Sequence, residues 1–336
     1  MENNNSIFDN SNNYNDILYL QNVKINNWIV HSNELLSYNF NEDPLYKRHI
    51  YPVKPSLKSQ PNIIIKEPIV IFKMNHNCYG HALIDNLFVE YCVIENINNK
   101  FNTKIKYFIK RNSKFLFLDN LLQVPKLNLV KDTCYLFENV YLMKQGKYPY
   151  LLEWSQRSPF NNFYKGNPKS RCLTPIYDDE TMSKYLLEFQ KLTFQKYSLY
   201  NKIYDKKNII IINRSQPPIH KQFDFNILSK LNDIITTFIS KNPEYYYNGV
   251  HILEDIDHKA QVELFYSSDI IIAKSGSAAT NTIFMQKNSN YIEIDYTVQH
   301  KRLCNLVSVN YYDLHSKLDY ISGIEKILND KFLIKN

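Results

Sequence analysis

A turn of small residues, Lys274 to Ser277, has the local pattern of an anion-binding site. The apolar run Ile270–Ala273 before it has the length of a buried strand, and Ala278–Met285 after it is predicted to be a helix. A second strand is predicted at Tyr291–Ile294. Backbone amides and the positive dipole end at a helix N-terminus suit a phosphate group. The turn matches neither a Walker loop nor a dinucleotide fingerprint, so by itself it also fits an ordinary strand-to-helix connection.

Two charged residues occupy equivalent positions after other predicted strands. Arg214 follows the isoleucine-rich run Asn208–Ile212, and Glu254 follows Val250–Leu253. Because the carboxyl ends of parallel strands meet at one edge of a sheet, we expect Arg214, Glu254 and the small-residue turn to lie close together. A surface salt bridge would also account for Arg214, and simple solvation at a strand end for Glu254. Glu293, inside the next predicted strand, fits either a contact with ribose hydroxyls or plain exposure.

A histidine and an aspartate lie four residues apart at the start of another predicted helix. Apolar residues recur at helical spacing from Ala82 onward, which places His81 and Asp85 on one face of that helix. His76 lies in the turn before it. Asp85 also fits a carboxylate that answers the helix dipole, and His81 a packed residue at a helix start. The sequence around these histidines lacks metal-ligand spacing, because no carboxylate or cysteine set clusters with them.

Strands and helices alternate along most of the chain, which predicts an α/β fold with a doubly wound parallel sheet. An asparagine-rich, low-complexity N-terminus covers residues 1–14. The rest is divided into an N-terminal domain at 15–200, a C-terminal domain at 201–315 and a final helix at 316–336. The long amphipathic segment Asp178–Tyr200 is predicted to be a helix that bridges the two domains.

Composition excludes several classes of protein. The 336-residue chain is 44% hydrophobic and carries a formal net charge of +7, so it can form one large or two medium globular domains. Its lysines and arginines are scattered, which argues against nucleic acid and favours an anionic substrate. Five cysteines without CxxC pairs indicate free thiols in a reducing compartment. With no signal sequence and no membrane-length apolar run, we expect a cytoplasmic protein.

Several of these residues together resemble glycosyltransferase family 61, over roughly residues 69–312. The resemblance rests on these segments: Tyr79-Gly80-His81-x-x-x-Asp85, Arg214, Glu254, Gln261 to Phe265, Thr280-Asn281 with Phe284-Met285, and Ile292-Glu293-Ile294. The family's turn usually reads His-Gly-Ala-Gly-Leu-Thr-Asn, whereas this chain has Ser275 in place of the histidine. A second family arginine is also absent here, and Lys221 is the nearest cation.

The resemblance implies a GT-B architecture, in which two Rossmann-like domains face each other across a cleft. It also implies that the final helix, about Ile321–Leu333, returns to the first domain. The implied reaction is inverting transfer from a nucleotide-sugar, taken here as a UDP-sugar, to a hydroxyl of a glycan or protein, without an essential metal or cofactor. The alternative is a catalytically silent protein that binds a nucleotide-sugar or a glycan on the same fold. The histidine missing at Ser275 motivates that alternative.

The same resemblance assigns roles to particular residues. An inverting transferase needs a base for the acceptor hydroxyl and charge stabilisation for the departing diphosphate. Asp85 and His81, in the acceptor-side first domain, are the candidates for the base. His76 and Trp154 are weaker candidates for contacts with the acceptor. The nucleotide site is expected to consist of Arg214, Lys221, Glu254, Ser275, Gly276, Ser277, Ala278, Thr280 and Asn281.

Overall fold

The computed structural model of the chain divides into two compact units, Met1–Thr181 and Met182–Asn336. The structure describes residues 17–26, 29–31, 53–54, 60–72, 79–110, 115–143, 179–200, 205–215, 222–295, 298–315 and 319–332. The low-complexity N-terminus at 1–14 lies outside these residues. Within the described ranges, no helix combines the length and the apolar character needed to cross a membrane.

The first unit contains a seven-stranded sheet. Its strands are β1 (Ile17–Asn26), β2 (Ile29–His31), β3 (Val53–Lys54), β4 (Ile63–Ile65), β5 (Ile69–Ile71), β6 (Tyr107–Ile109) and β7 (Cys134–Met143). The order is β3-β2-β1-β7-β5-β6, and β4 pairs with β7.

The pairing in this sheet is mixed, whereas the alternation of strands and helices predicts a parallel sheet. Strands β4 and β5 run parallel to β7, but β1 runs antiparallel to both β7 and β2. The reason lies in β1, where Tyr19 and Gln21 are exposed while Leu20 between them is buried. Such a strand, with one solvated face, is typical of antiparallel pairing.

The helix predicted from Ala82 is confirmed, with a change of helix type inside it. It consists of α1 (Tyr79–His81), a π helix (Ala82–Phe88) and α2 (Val89–Lys100) in direct succession. A short helix α3 (Leu116–Asp119) follows β6. Leu83, Ile84 and Leu87 of the π helix are buried, so this segment is held by core packing. π-Helical turns are rare and often occur at functional sites.

The second unit contains a five-stranded sheet in which every pair of strands is parallel. Its strands are β8 (Lys207–Asn213), β9 (Tyr245–Ile252), β10 (Ile270–Lys274), β11 (Asn290–Ile294) and β12 (Asn310–Leu314), in the order β12-β11-β10-β8-β9. Alternate isoleucines of β8, β10 and β11 form the core of this unit, as the apolar runs predict.

The helices of this unit lie before, between and after the strands of the sheet. They are α4 (Asp179–Lys196, which begins at the end of the first unit), α5 (Phe225–Lys241), a first 3₁₀ helix (Leu253–Asp255), α6 (His258–Tyr266), a second 3₁₀ helix (Ser277–Phe284), α7 (Val298–Leu306) and α8 (Tyr320–Phe332). The sequence pattern predicts an N-cap at Asp257 for a helix over Lys259–Ser267, and this N-cap is confirmed. The Asp257 carboxylate accepts a hydrogen bond of 2.8 Å from the amide of Ala260.

The final helix differs from what the resemblance implies. Ile324 and Leu328 of α8 are fully buried in the isoleucine core of the second unit. A Cβ on Gly323 would come within 2.8 Å of the Leu314 side chain, so α8 lies very close to β12. A short connection after β12 and the absence of a side chain at Gly323 allow this close approach. The apolar face of α8 therefore packs in the core of the second unit.

Candidate functional site

The strand order of the second unit reverses between β8 and β10. The chain passes from β8 to β9 on one side of it, then crosses to β10 on the other side and continues to β11 and β12. In open α/β sheets, ligands bind beyond the carboxyl ends of the strands at such a reversal. Arg214 follows β8, and the turn formed by Ser275 and Gly276 follows β10. Two features predicted from the sequence therefore lie at the position where this fold binds ligands.

Arg214 forms an ion pair with Glu254, which lies in the first 3₁₀ helix directly after β9. The Arg214 Nε and Glu254 Oε1 atoms are 3.4 Å apart, and the two side chains are 28% and 32% exposed. Among the described residues, the guanidinium makes no second ion pair. The fork of its terminal N–H groups matches two oxygens of a phosphate group.

The same guanidinium lies against Gly276. A Cβ placed on this glycine would be 3.4 Å from the Nη1 atom of Arg214. The backbone at Gly276 is extended, with φ of 173°, so its conformation does not require glycine. What the glycine provides is open space beside the cation. Arg214 therefore touches both the Glu254 segment and the Ser275–Gly276 turn.

The second 3₁₀ helix begins directly after this turn, where an α-helix is predicted. The Ala279 amide donates to the Gly276 carbonyl at 3.0 Å, and the Thr280 hydroxyl donates to the Ser277 carbonyl at 2.6 Å. Thr282 repeats this pattern with the Ala279 carbonyl at 2.7 Å. Threonine hydroxyls that bond back by three residues favour the tighter helix over the α form. The positive end of the helix dipole therefore lies at this turn, where it favours an anion.

Thr280 and Asn281 are brought to this segment but are buried rather than open to a ligand. The Asn281 side-chain amide donates to Oε1 of Gln261 at 3.0 Å. The Gln261 amide in turn donates to the carbonyls of Leu253 at 2.9 Å and Ile256 at 3.2 Å. Gln261 is a bridging residue that the sequence-based assignment of the site does not include. Its only signal is a glutamine in the first turn of α6, inside a segment of the family pattern.

Ser275, where the family pattern has histidine, is a small buried residue. Its side chain is 7% exposed, and its amide donates to the Ile294 carbonyl of β11 at 2.9 Å. The neighbouring Lys274 ammonium lies 5.4 Å from the centre of the Phe223 ring, in a cation–π contact. Ser275 thus secures the turn to the next strand, and Lys274 secures it to the segment that precedes α5.

Glu293 does not contact solvent, contrary to both interpretations of it from the sequence. Its carboxylate is completely buried, with Oε1 2.6 Å from Nδ1 of His300 on α7. The hydroxyl of Tyr311 on β12 donates to the other carboxylate oxygen. Burial first, and the adjacent carboxylate second, raise the pKa of Tyr311, so this hydroxyl remains a neutral donor. Glu293 therefore connects β11 to α7 and β12 inside the second unit.

In the first unit, His81 ends α1 and Asp85 lies within the π helix. The Tyr79 ring, at the start of the same segment, packs edge-on against Phe115 with 5.9 Å between ring centres. Lys221, His76 and Trp154 lie outside the described residues. Across the part of the chain that the structure describes, no three His, Cys, Asp or Glu side chains come together as ligands for a metal.

Comparison with known protein families identifies one family whose model matches this chain. The family model described as glycosyltransferase 61 matches residues 59–292, which include the π helix, Arg214, Glu254 and the Ser275–Gly276 turn. No curated protein sequence matches the chain significantly. Members of this family transfer a sugar from a donor to an acceptor. Because the match spans more than half of the chain and both units, the protein belongs to glycosyltransferase family 61.

Proposed function

We propose that this protein transfers a sugar from a nucleotide-sugar, specifically a UDP-sugar, to a hydroxyl of a glycan or a protein. The proposed reaction inverts the anomeric centre and requires no metal ion. One observation carries the proposal: the terminal N–H groups of Arg214 lie beside Gly276 at the strand-order reversal. This is the position at which a parallel sheet presents cations and helix amides to a phosphate group.

The proposed sugar-donor site uses three kinds of group. Arg214 and the first amides of the second 3₁₀ helix, from Ser277 and Ala278, bind the diphosphate. They also stabilise the charge that develops on it as the sugar leaves. Glu254, one-third exposed, accepts hydrogen bonds from the ribose or the base while it orients Arg214. Lys221 contributes a second cation. In this scheme the positive charge comes from side chains and helix amides, which makes a metal unnecessary.

The proposed acceptor side belongs to the first unit, in a GT-B arrangement of two Rossmann-like domains across a cleft. Asp85, assisted or replaced by His81, takes the proton of the acceptor hydroxyl as its oxygen attacks the anomeric carbon. Core packing of the π helix supports this role, because a base must be held rigidly. His76 and Trp154 contact the acceptor. We also propose a cytoplasmic location, which agrees with the buried free thiols of Cys92, Cys134 and Cys304.

Thermal unfolding of the full chain with a panel of UDP-, GDP-, ADP- and CMP-sugars tests the proposal. A ligand that binds only the folded state raises the melting temperature. At a concentration of 100 times its Kd, it adds about 2.7 kcal/mol to the free energy of unfolding. We expect UDP-sugars to give the largest shift, with EDTA making no difference. If no nucleotide-sugar shifts the transition, or if EDTA abolishes the shift, the metal-free donor site is wrong.

A binding protein without transferase activity is the second candidate, favoured by one feature. Position 275 holds a small buried serine, so the turn has no imidazole beside the diphosphate. Glycan-array transfer assays with the UDP-sugar that the chain binds separate the two candidates. Release of UDP together with a glycosylated product supports the enzyme. Tight donor binding without UDP release under any acceptor supports the binding protein.

A further inference from the structure

A bridge of side-chain amides connects the two segments that lie beside Arg214. Gln261 donates to the carbonyls of Leu253 and Ile256, on either side of Glu254, at 2.9 and 3.2 Å. Its Oε1 atom accepts from the amide of Asn281 at 3.0 Å, five residues after Gly276. The first 3₁₀ helix and the second 3₁₀ helix are thereby held by one side chain.

This bridge and the arginine connect the same two segments from different depths. Arg214 reaches Glu254 and Gly276 with a side chain that is 28% exposed. The amide bridge reaches the same segments through Asn281, which is completely buried. A change in a side chain of this amide bridge would therefore change the separation between the Glu254 carboxylate and the Ser275–Gly276 turn.

The chemistry of the bridge requires a primary amide at residue 261. A glutamine side chain offers two N–H donors and one carbonyl acceptor, and all of these functions are used here. Glutamate has the same shape, but its carboxylate would face two carbonyl oxygens and lose both hydrogen bonds. Methionine has a similar length and would remove the bridge without charge. Loss of the bridge would remove the Gln261 acceptor from the buried Asn281 amide.

We infer that Gln261 and Asn281 are positioning residues for the sugar donor. They fix the distance between Glu254 and the Ser275–Gly276 turn, so that Arg214 is oriented before the diphosphate arrives. The inference rests on the proposed function, because it assigns the positioned groups to a nucleotide. It adds that affinity for the nucleotide depends on two side-chain amides, a half-buried one at Gln261 and a completely buried one at Asn281, that do not touch it.

A second glutamine provides a matched control in the same unit. Gln190 on α4 donates to the carbonyls of Ile283 and Met285 at 2.8 and 2.9 Å, at the opposite end of the second 3₁₀ helix. Gln190→Met therefore removes two similar hydrogen bonds at the C-terminal end of the second 3₁₀ helix, whereas Gly276 precedes its N-terminal end. If glutamine bridges only stabilise the fold, Gln261→Met and Gln190→Met should have similar consequences.

The test is a double-mutant cycle on nucleotide affinity, measured by calorimetry with the full chain and UDP, GDP, ADP and CDP. We expect Gln261→Met to weaken binding of the preferred nucleotide about tenfold, and Gln190→Met to change it less than about twofold. In the double variant Gln261→Met/Glu254→Gln, the fold loss in affinity should be clearly smaller than the product of the two single fold losses, because both changes act on one site. Asn281→Asp removes the other amide and should reproduce Gln261→Met.

Each outcome is decisive. If Gln261→Met and Gln190→Met lower the melting temperature alike and neither changes affinity, the bridge is only structural and the inference is wrong. Losses that multiply independently with Glu254→Gln also contradict it. If Gln261→Met does not fold, Asn281→Asp decides the question by the same affinity criterion. A wild-type chain that binds none of the nucleotides instead overturns the proposed function, and the inference with it.

Discussion

Lys110 and Arg214 look alike in the sequence but differ completely in the structure. Each is the cation that directly follows a buried strand of a parallel pair, β6 in the first unit and β8 in the second. The Lys110 ammonium is 2.7 Å from both Glu90 and Asp119, and its side chain is 2% exposed. Arg214 has one carboxylate at 3.4 Å and is 28% exposed.

The difference indicates what each cation can do. Burial alone would lower the pKa of Lys110, but the neighbouring Glu90 and Asp119 more than compensate and raise it, so the ammonium stays charged. Asp119 also contacts Lys126 at 3.0 Å, which balances the four charges. Such a network holds helices in register and has no capacity for a ligand. An exposed, loosely paired guanidinium contributes little to stability and keeps its capacity to bind an anion.

The second unit repeats this contrast with two glutamates. Glu254 is one-third exposed beside Arg214, whereas Glu293 is completely buried and bonded to His300 and Tyr311. From the sequence alone, each is a candidate for a contact with the nucleotide. Only the glutamate that keeps solvent exposure retains this role in our proposal.

The largest expected effect is a loss of transfer rate when candidate base residues of the first unit are changed. Changing Asp85→Asn should lower the rate of sugar transfer by about two to four orders of magnitude, because a base acts in the transition state. His81→Ala should lower it by a similar factor if the histidine assists. Affinity for UDP should change by less than about twofold, since the second unit supplies the nucleotide site. Steady-state transfer assays and calorimetry on the same samples provide both numbers.

Glu95→Gln on α2 is the control for this experiment, because it removes the same charge from the same helical segment. We expect it to transfer sugar at the wild-type rate. Transfer at the wild-type rate by both Asp85→Asn and His81→Ala would place the base elsewhere. Loss of UDP binding in both variants would make these residues part of folding or of the nucleotide site.

The next effect tests the closed network of the first unit. Lys110→Met should cost about 3–5 kcal/mol of opening free energy, because it leaves two buried carboxylates without their shared cation. Hydrogen exchange of the β6 and α2 amides measures this locally. The double variant Lys110→Met/Glu90→Leu should recover part of the loss, because Asp119 then retains Lys126 as its partner. A loss below about 1 kcal/mol would mean that this network resembles a surface ion pair.

A smaller effect concerns His258, whose Nδ1 is 3.1 Å from the Tyr197 hydroxyl. Burial lowers the pKa of His258 to about 4, against the opposing influence of Asp257. The unfolded histidine binds a proton near pH 6.5 and the folded one near pH 4. Between these values the unfolded state holds more protons, so stability falls as the pH falls, by about 3 kcal/mol in all.

Chemical denaturation of the second unit from pH 7.5 to pH 4 measures this slope. His258→Gln keeps a polar side chain but does not titrate, so its slope over this interval should be smaller than that of the wild type. Equal slopes in the two proteins would show that protonation of His258 does not govern acid stability here.

Local patterns predicted most of the second unit. Runs of four isoleucines in β8 and three in β10 identify these strands, and Asp257 identifies the start of α6, because strand burial and N-capping depend on adjacent residues. The convergence of Arg214, Glu254 and the Ser275–Gly276 turn follows from parallel strands sharing one edge. These parts of the site could be predicted without knowing any distant contact.

The remaining features depend on partners far along the chain. Ile17 pairs with Met143, so the strand to which β1 pairs could not be identified from the β1 segment itself. Burial of Glu293 depends on His300 and Tyr311, which come from α7 and β12. An amphipathic pattern shows that α8 has an apolar face but not which unit it covers.

Calorimetric titration of UDP into the wild type, Arg214→Ala and Lys287→Ala tests the central claim most directly. Arg214→Ala should weaken binding by about 2 kcal/mol, roughly 30-fold, and change the free energy of unfolding by less than about 1 kcal/mol. Lys287 is an exposed cation just before β11, at the amino ends of the parallel strands, whereas Arg214 follows a carboxyl end. Its removal should therefore leave the affinity for UDP unchanged. Equal affinities for all three proteins would contradict the assignment of Arg214 and the Ser275–Gly276 turn as the nucleotide site.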